Sequence, residues 1–153
     1  MVKPRFIEKI ESFGQSPDQT FGKIILNPSI CSKSTVDKVK KMMFNVVDKK
    51  WGTAHNIKDK DLSLAGKTGT SQVKRITEEE RELDLELSQI PYRNRDHAWF
   101  IAFGPYKNPR YAMSILVEHG GSGSKAAAPL AKKLMKAVVD RHQERINNKT
   151  MVI

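Results

Sequence analysis

Val36, Val39, Met42, Met43, Val46 and Val47 recur at three- and four-residue steps, which predicts an amphipathic helix near 35–48. Ser34-Thr35-Val36-Asp37 fits a capping box, Lys49 and Lys50 suit the negative end of the helix dipole, and Gly52 is a natural stop. The two methionines read as core filler. Upstream, Arg5–Ile10 and Phe21–Leu26 read as an extended pair, joined by turn chemistry at 14–18 and ended by Asn27-Pro28-Ser29. Downstream, strands are predicted near 64–73, 98–103 and 111–117, the last two forming an antiparallel hairpin across the Gly104–Pro109 turn residues. Trp99 and Phe103 fall on one face and Phe100 on the other, which predicts a sheet covered on both sides. A helix near 125–144 follows, with Ser124 as N-cap and Ala127, Leu130, Leu134 and Val138 along its apolar face. Pro129 sits late for a first-turn proline, so the helix either starts after Ser124 or bends there. Residues 146–153 read as a frayed tail. The class is α+β.

Composition narrows the possibilities. The 153 residues carry 27 Lys and Arg against 17 Asp and Glu, a formal charge of +10. Residues 77–90 hold six acids and one Arg, so the remainder carries +15. This acidic stretch reads as an insertion, either a short surface helix or a mobile loop, with no catalytic role. A basic surplus attracts nucleic acid or anionic surfaces, but no aromatic-interleaved basic stripe accompanies it. No apolar run reaches the ~18–20 residues of a membrane span, and no signal peptide opens the chain. A single cysteine, Cys31, excludes an internal disulfide and reads as a packed thiol. His55, His97, His119 and His142 lack metal-ligand spacing, so neither a metal nor another cofactor is expected.

Lys67-Thr68-Gly69-Thr70 is the sharpest chemical feature. A strand position without a side chain lets another extended backbone lie close against the edge. The Thr68 and Thr70 hydroxyls, the Lys67 ammonium and the backbone N–H groups of an unpaired edge could together hold a carboxylate. The tetrapeptide by itself also fits plain strand structure. Phosphate readings fail on position: Gly66-Lys67-Thr68 lacks the first P-loop glycine, where Asp61 stands. Gly121-Ser-Gly123-Ser-Lys-Ala126 imitates a dinucleotide fingerprint, but Asp140 lies inside the same predicted helix and not at the end of a next strand.

The ordered set Leu64–Val73, His97–Pro109 and Val117–Ser124, with Gly52-Thr53-Ala54 upstream, resembles the end of a class B penicillin-binding transpeptidase of the elongation type. The resemblance runs from about Thr35 to Arg141. It implies the penicillin-binding and serine β-lactamase-like fold, here as the C-terminal portion of one transpeptidase domain over 1–153. It further implies a D,D-transpeptidase that cross-links peptidoglycan stem peptides through an acyl-serine and is a target of β-lactams. By resemblance Lys67 serves the electrostatics around serine and substrate carboxylate. Thr68 and Thr70 bind that carboxylate, Gly69 gives clearance, and the Thr70 backbone N–H is an oxyanion-hole donor.

The family also needs Ser-x-x-Lys, which carries the nucleophile, and Ser-x-Asn. Ser71-Gln-Val-Lys74 continues the Lys-Thr-Gly strand, and Ser122-Gly-Ser-Lys125 follows it, so neither stands where the nucleophile belongs. Tyr92-Arg-Asn94 and Tyr106-Lys-Asn108 likewise imitate the second motif out of order. With 66 residues before Lys67, the expectation is a piece of a domain that holds one wall of the site, no nucleophile and no activity alone. The missing strands of the parent sheet predict an exposed edge and a dimer formed through it. The resemblance places the parent in the bacterial inner membrane with this domain in the periplasm, working with cell-wall elongation proteins, while the piece itself is soluble. The rival reading is a small basic binding or scaffold module for nucleic acid or anionic surfaces.

Overall fold

His97-Ala-Trp-Phe-Ile-Ala-Phe-Gly104 is apolar almost throughout, yet burial alternates along it, as in a strand with one face packed. Ala98, Phe100 and Ala102 are buried, and Trp99 and Ile101 point the other way. The computed structural model describes residues 9–10, 19–20, 22, 31–75, 78, 83 and 85–150, the side chains of 19 and 145–150 excepted. They belong to two units, Met1–Lys38 and Val39–Ile153.

In the first unit β1 (Lys9–Ile10) and β2 (Gln19–Thr20) pair antiparallel, Lys9 opposite Thr20. An extended pair is therefore present; of the strand expected at 21–26, all but Gly22 lies outside the described residues. Helix α1 (Lys33–Asp48) begins two residues before its predicted start, because Ser32 and not Ser34 is its cap. The Thr35 N–H donates to Ser32 Oγ at 3.2 Å. Cys31 is exposed, so the packed thiol expected there is corrected.

The second unit is built on an antiparallel sheet of order β3-β4-β5: β3 (Ala65–Ser71), β4 (His97–Gly104) and β5 (Tyr111–Val117). Gly66 faces Ala102, Thr68 faces Phe100, and Gly104 faces Tyr111 across the expected hairpin. The Gly104–Pro105 bond in the hairpin loop is cis. A π-helical turn over Gly123–Ala127 leads into α2 (Ala128–Thr150). Pro129 thus falls in the first α-helical turn, where its missing N–H costs nothing. The expected cap is corrected: Ser124 Oγ pairs with Ser122 Oγ at 3.0 Å, and the Ala126 N–H donates to the Ser122 carbonyl at 2.8 Å. The helix runs on to Thr150, into the stretch expected to fray.

The apolar face expected for this helix is corrected in part: Ala127 is buried as expected, but Leu130, Leu134 and Val138 are not. Ala127, Ala128, Ala131 and Met135 are fully buried, whereas Leu130, Leu134 and Val138 are 40–51% exposed. The buried stripe lies one residue further along, because alanines let the helix axis approach Phe100 more closely than leucines would. The core joins these residues to Val47, Ala54, Ile57, Leu62, Leu64, Ala98, Phe100 and Ala102. Met42 is 65% exposed and not core filler, since α1 packs through its C-terminal half. The opposite sheet face, with Trp99, Ile101 and Leu116, stays open, so cover on both sides is not found among the described residues. In the acidic stretch, Leu87–Gln89 forms one 3-10 turn and Leu83 is exposed. No described helix is long and apolar enough to cross a membrane.

Candidate active site

Lys67, Thr68, Gly69 and Thr70 stand in the middle of β3, an edge strand whose outer side has no partner strand among the described residues. One row of its backbone N–H and C=O groups therefore faces outward, ready to pair with an extended ligand. The Lys67 ammonium is exposed and donates to the Thr68 carbonyl at 2.7 Å. The Thr68 hydroxyl lies 3.0 Å from the hydroxyl of Thr53, which arrives from the loop after α1. Thr70 is exposed.

Gly66 and Gly69 differ in what they do. A Cβ at Gly66 would stand 2.3 Å from the Phe100 ring, so this glycine serves the packing of Phe100. A Cβ at Gly69 would meet nothing closer than the Trp99 Cβ at 3.3 Å. Internal packing thus asks less of the Gly69 side-chain position than of Gly66, while the π-helical turn packs on the Gly69 backbone: a Cβ at Gly123 would stand 2.7 Å from its carbonyl oxygen.

Several residues that hold this wall in place are invisible to motif reading. Asn56 Nδ2 donates to the Ser124 carbonyl at 3.0 Å and ties the post-α1 loop to the π-helical turn. At the Ser71 end, the His119 N–H donates to His97 Nδ1 at 2.9 Å, and the Asp96 carboxylate accepts from the Val73 N–H at 3.2 Å. The His119 ring lies 2.9 Å from the Arg95 carbonyl through Nδ1 and packs at a tilt against Tyr92 and His97, with centroids 4.7 Å away in both cases. His119 takes a left-handed φ of 55°, a conformation the Gly120-Gly121 neighbourhood hints at in the sequence. The remote Ser-x-x-Lys look-alikes gain nothing from the fold: Ser71 ends β3, and Ser122 bonds to Ser124. Among the described residues no three His, Cys, Asp or Glu side chains gather as a metal site.

The penicillin binding protein transpeptidase domain model matches residues 1–136. The chain belongs to that family. Peptidoglycan D,D-transpeptidase MrdA of Haemophilus influenzae is 38% identical over 100 residues, 65% of this chain and 15% of that protein. The Escherichia coli K12 protein of the same name is 33% identical over 99 residues, 64% and 14% of the two chains. The Helicobacter pylori complex of penicillin-binding protein 2 with MreC matches with a TM-score of 0.56 at 36% identity, over 71% of this chain and 18% of that one. Penicillin-binding protein 2 of Pseudomonas aeruginosa, solved in complex with WCK 5153, gives 0.52 at 32%, over 78% and 21%. The motif resemblance and these relatives agree on the penicillin-binding protein 2 type and on the penicillin-binding fold. None of them supports the basic binding or scaffold module, which is set aside. The chain spans about 15% of the length of the curated relatives it matches.

Proposed function

We propose that this chain supplies the Lys-Thr-Gly wall of a peptidoglycan D,D-transpeptidase site, in a parent that carries the nucleophilic serine and the Ser-x-Asn motif. The observation that carries the reading is the open edge of β3, with Lys67, Thr68 and Thr70 around the uncrowded Gly69, in a chain of this family. An extended D-Ala-D-Ala peptide, or a β-lactam that imitates it, would lie antiparallel along that edge. Its carboxylate would take hydrogen bonds from the Thr68 and Thr70 hydroxyls in the field of Lys67. Thr53 has a part in this. If it donates to Thr68 Oγ1, the Thr68 proton stays available for the carboxylate. The Thr70 N–H would bind the oxygen that gains negative charge when the serine attacks, where such a donor is worth about 3–4 kcal/mol.

The parent would be anchored in the inner membrane with this domain in the periplasm, and would work beside cell-wall elongation proteins. The Helicobacter relative's complex with MreC supports a protein partner for the parent. Two measurements test the reading. Titration of the labelled chain with an acyl-D-Ala-D-Ala peptide should shift amide resonances at 67–70; no saturable shift there would refute it. Incubation with a β-lactam should leave the intact mass unchanged, because Ser71 ends the Lys-Thr-Gly strand and Ser122 follows it, so neither stands where the family carries its nucleophile. A covalent adduct would overturn the assignment of the nucleophile to the rest of the parent.

A further inference from the structure

At the other end of the sheet the hairpin loop and α2 enclose a cavity of about 300 Å³, lined by Asn108, Arg110, Tyr111, Val139, His142 and Gln143, with Pro105 behind. A volume at the lower end of small-molecule pockets suits a compact ligand. Arg110 Nη1 lies 2.9 Å from His142 Nε2. A guanidinium only donates, so Nε2 is the acceptor in this contact. The His142 ring also packs edge-on against Tyr111, at 5.9 Å between centroids. Among the described residues no carboxylate pairs with Arg110, although the guanidinium has four further N–H groups. Arg110 and His142 thus meet on the wall of a cavity whose lining holds no acid, and the arginine's acceptor is a ring nitrogen in place of an anion.

We propose that this corner binds a carboxylate on a short apolar stem. The planar Arg110 fork matches the two oxygens of a carboxylate, and it has no carboxylate partner among the described residues. Asn108 and Gln143 offer amide N–H donors at the rim, and Val139 with the Tyr111 ring offers apolar wall to the stem. Val139, His142 and Gln143 lie beyond residue 136, where the family match ends, and Arg110 has no part in the Lys-Thr-Gly wall. Tyr111 and Val117, the β5 residues level with the two ends, are six residues apart, about 20 Å at ~3.3 Å per residue. The corner is therefore separate from Thr70, which shares the level of Val117.

The test is a titration of the full 153-residue chain with isobutyrate at constant ionic strength, followed by amide, Arg110 side-chain and His142 imidazole resonances. We expect saturable, millimolar binding with shifts confined to 108–111 and 139–143 and absent from 67–70. Isobutyramide, the uncharged isostere, should give no such shifts. Arg110→Gln should weaken isobutyrate about ten- to hundredfold, the loss of a charge-assisted hydrogen bond, with its other resonances in place. Arg110→Lys keeps the charge without the fork and should also bind more weakly than wild type. Isobutyrate shifts spread over the surface lysines, unchanged binding by Arg110→Gln, or inorganic phosphate binding as tightly as isobutyrate would each overturn the proposal. Shifts at 67–70 bear on the transpeptidase reading instead, so the two can fail separately.

Discussion

Two glycines of β3 have opposite demands on them. Gly66→Ala drives a methyl into the Phe100 ring, which is fully buried and rigid, and should cost about 1–3 kcal/mol by overpacking. Gly69→Ala meets only the Trp99 Cβ at 3.3 Å and should change stability by less than about 1 kcal/mol. It should nevertheless hinder an acyl-D-Ala-D-Ala peptide at the edge. Chemical denaturation of both variants, with the peptide titration on the second, separates packing from clearance. Equal destabilisation of the two would refute the distinction. Thr53→Val removes a hydroxyl 3.0 Å from Thr68 and should weaken the same peptide about two- to tenfold, as expected for one hydrogen bond. At this scale the Lys-Thr-Gly-Thr tetrapeptide was legible because its chemistry is local. Thr53 was not, because its hydroxyl meets Thr68 only after the chain has turned back over fifteen residues.

Among the elements, α2 is where packing overrode pattern. Leucine spacing pointed to 130, 134 and 138, yet the helix rests on Ala127, Ala128, Ala131 and Met135. Leu134→Ala should therefore cost well under the ~2–5 kcal/mol of a buried leucine, while Ala131→Leu should cost about 1–3 kcal/mol by pushing the helix off the sheet. Urea denaturation checks both; a larger loss for Leu134→Ala than for Ala131→Leu would restore the leucine face. Two lysines fasten the elements to the loop between α1 and β3. Lys58 donates to the Asp48 carbonyl at the end of α1 and lies 2.7 Å from the Asp48 carboxylate, and Lys132 on α2 lies 3.1 Å from that of Asp59. The Lys58 hydrogen bond holds the Asp48 carboxyl below its ordinary value, and the Lys132 hydrogen bond does the same for Asp59. A carboxyl lowered in the folded state stabilises the fold above its unfolded pKa of ~3.9, and the contribution fades as pH falls through the lower folded value. Lys58→Met and Lys132→Met should thus lower the melting temperature modestly at pH 7 and no longer do so at strongly acid pH. A difference that persists or grows in acid would refute the coupling. Lys49 and Lys50 were the sequence's choice for the end of α1, but Lys58 caps it, since the 3-10 turn at His55–Ile57 folds the chain back.

For the whole molecule, both outer strands of the sheet, β3 and β5, lack a partner among the described residues, and Trp99, Ile101 and Leu116 leave one face open. Unpaired edges beside exposed apolar residues favour pairing with a second copy. We expect light scattering to show a dimer fraction that rises with concentration; a monomer at every concentration would refute it. The sequence by itself determined the α+β class, the three strands and their antiparallel hairpin, the helices before and after them, and the family through the ordered set of segments around its Lys-Thr-Gly strand. These depend on alternation, turn residues and short motifs, all of which act within a few positions of the chain. The tertiary structure alone decided which face of α2 is buried, that Ser32 and not Ser34 caps α1, that Thr53 reaches Thr68, and that Arg110 meets His142. Each of these is a contact between residues brought together by packing, or a boundary shifted by a residue or two. A period of hydrophobicity names a face only to within one residue, whereas close packing against Phe100 selects among neighbours by volume.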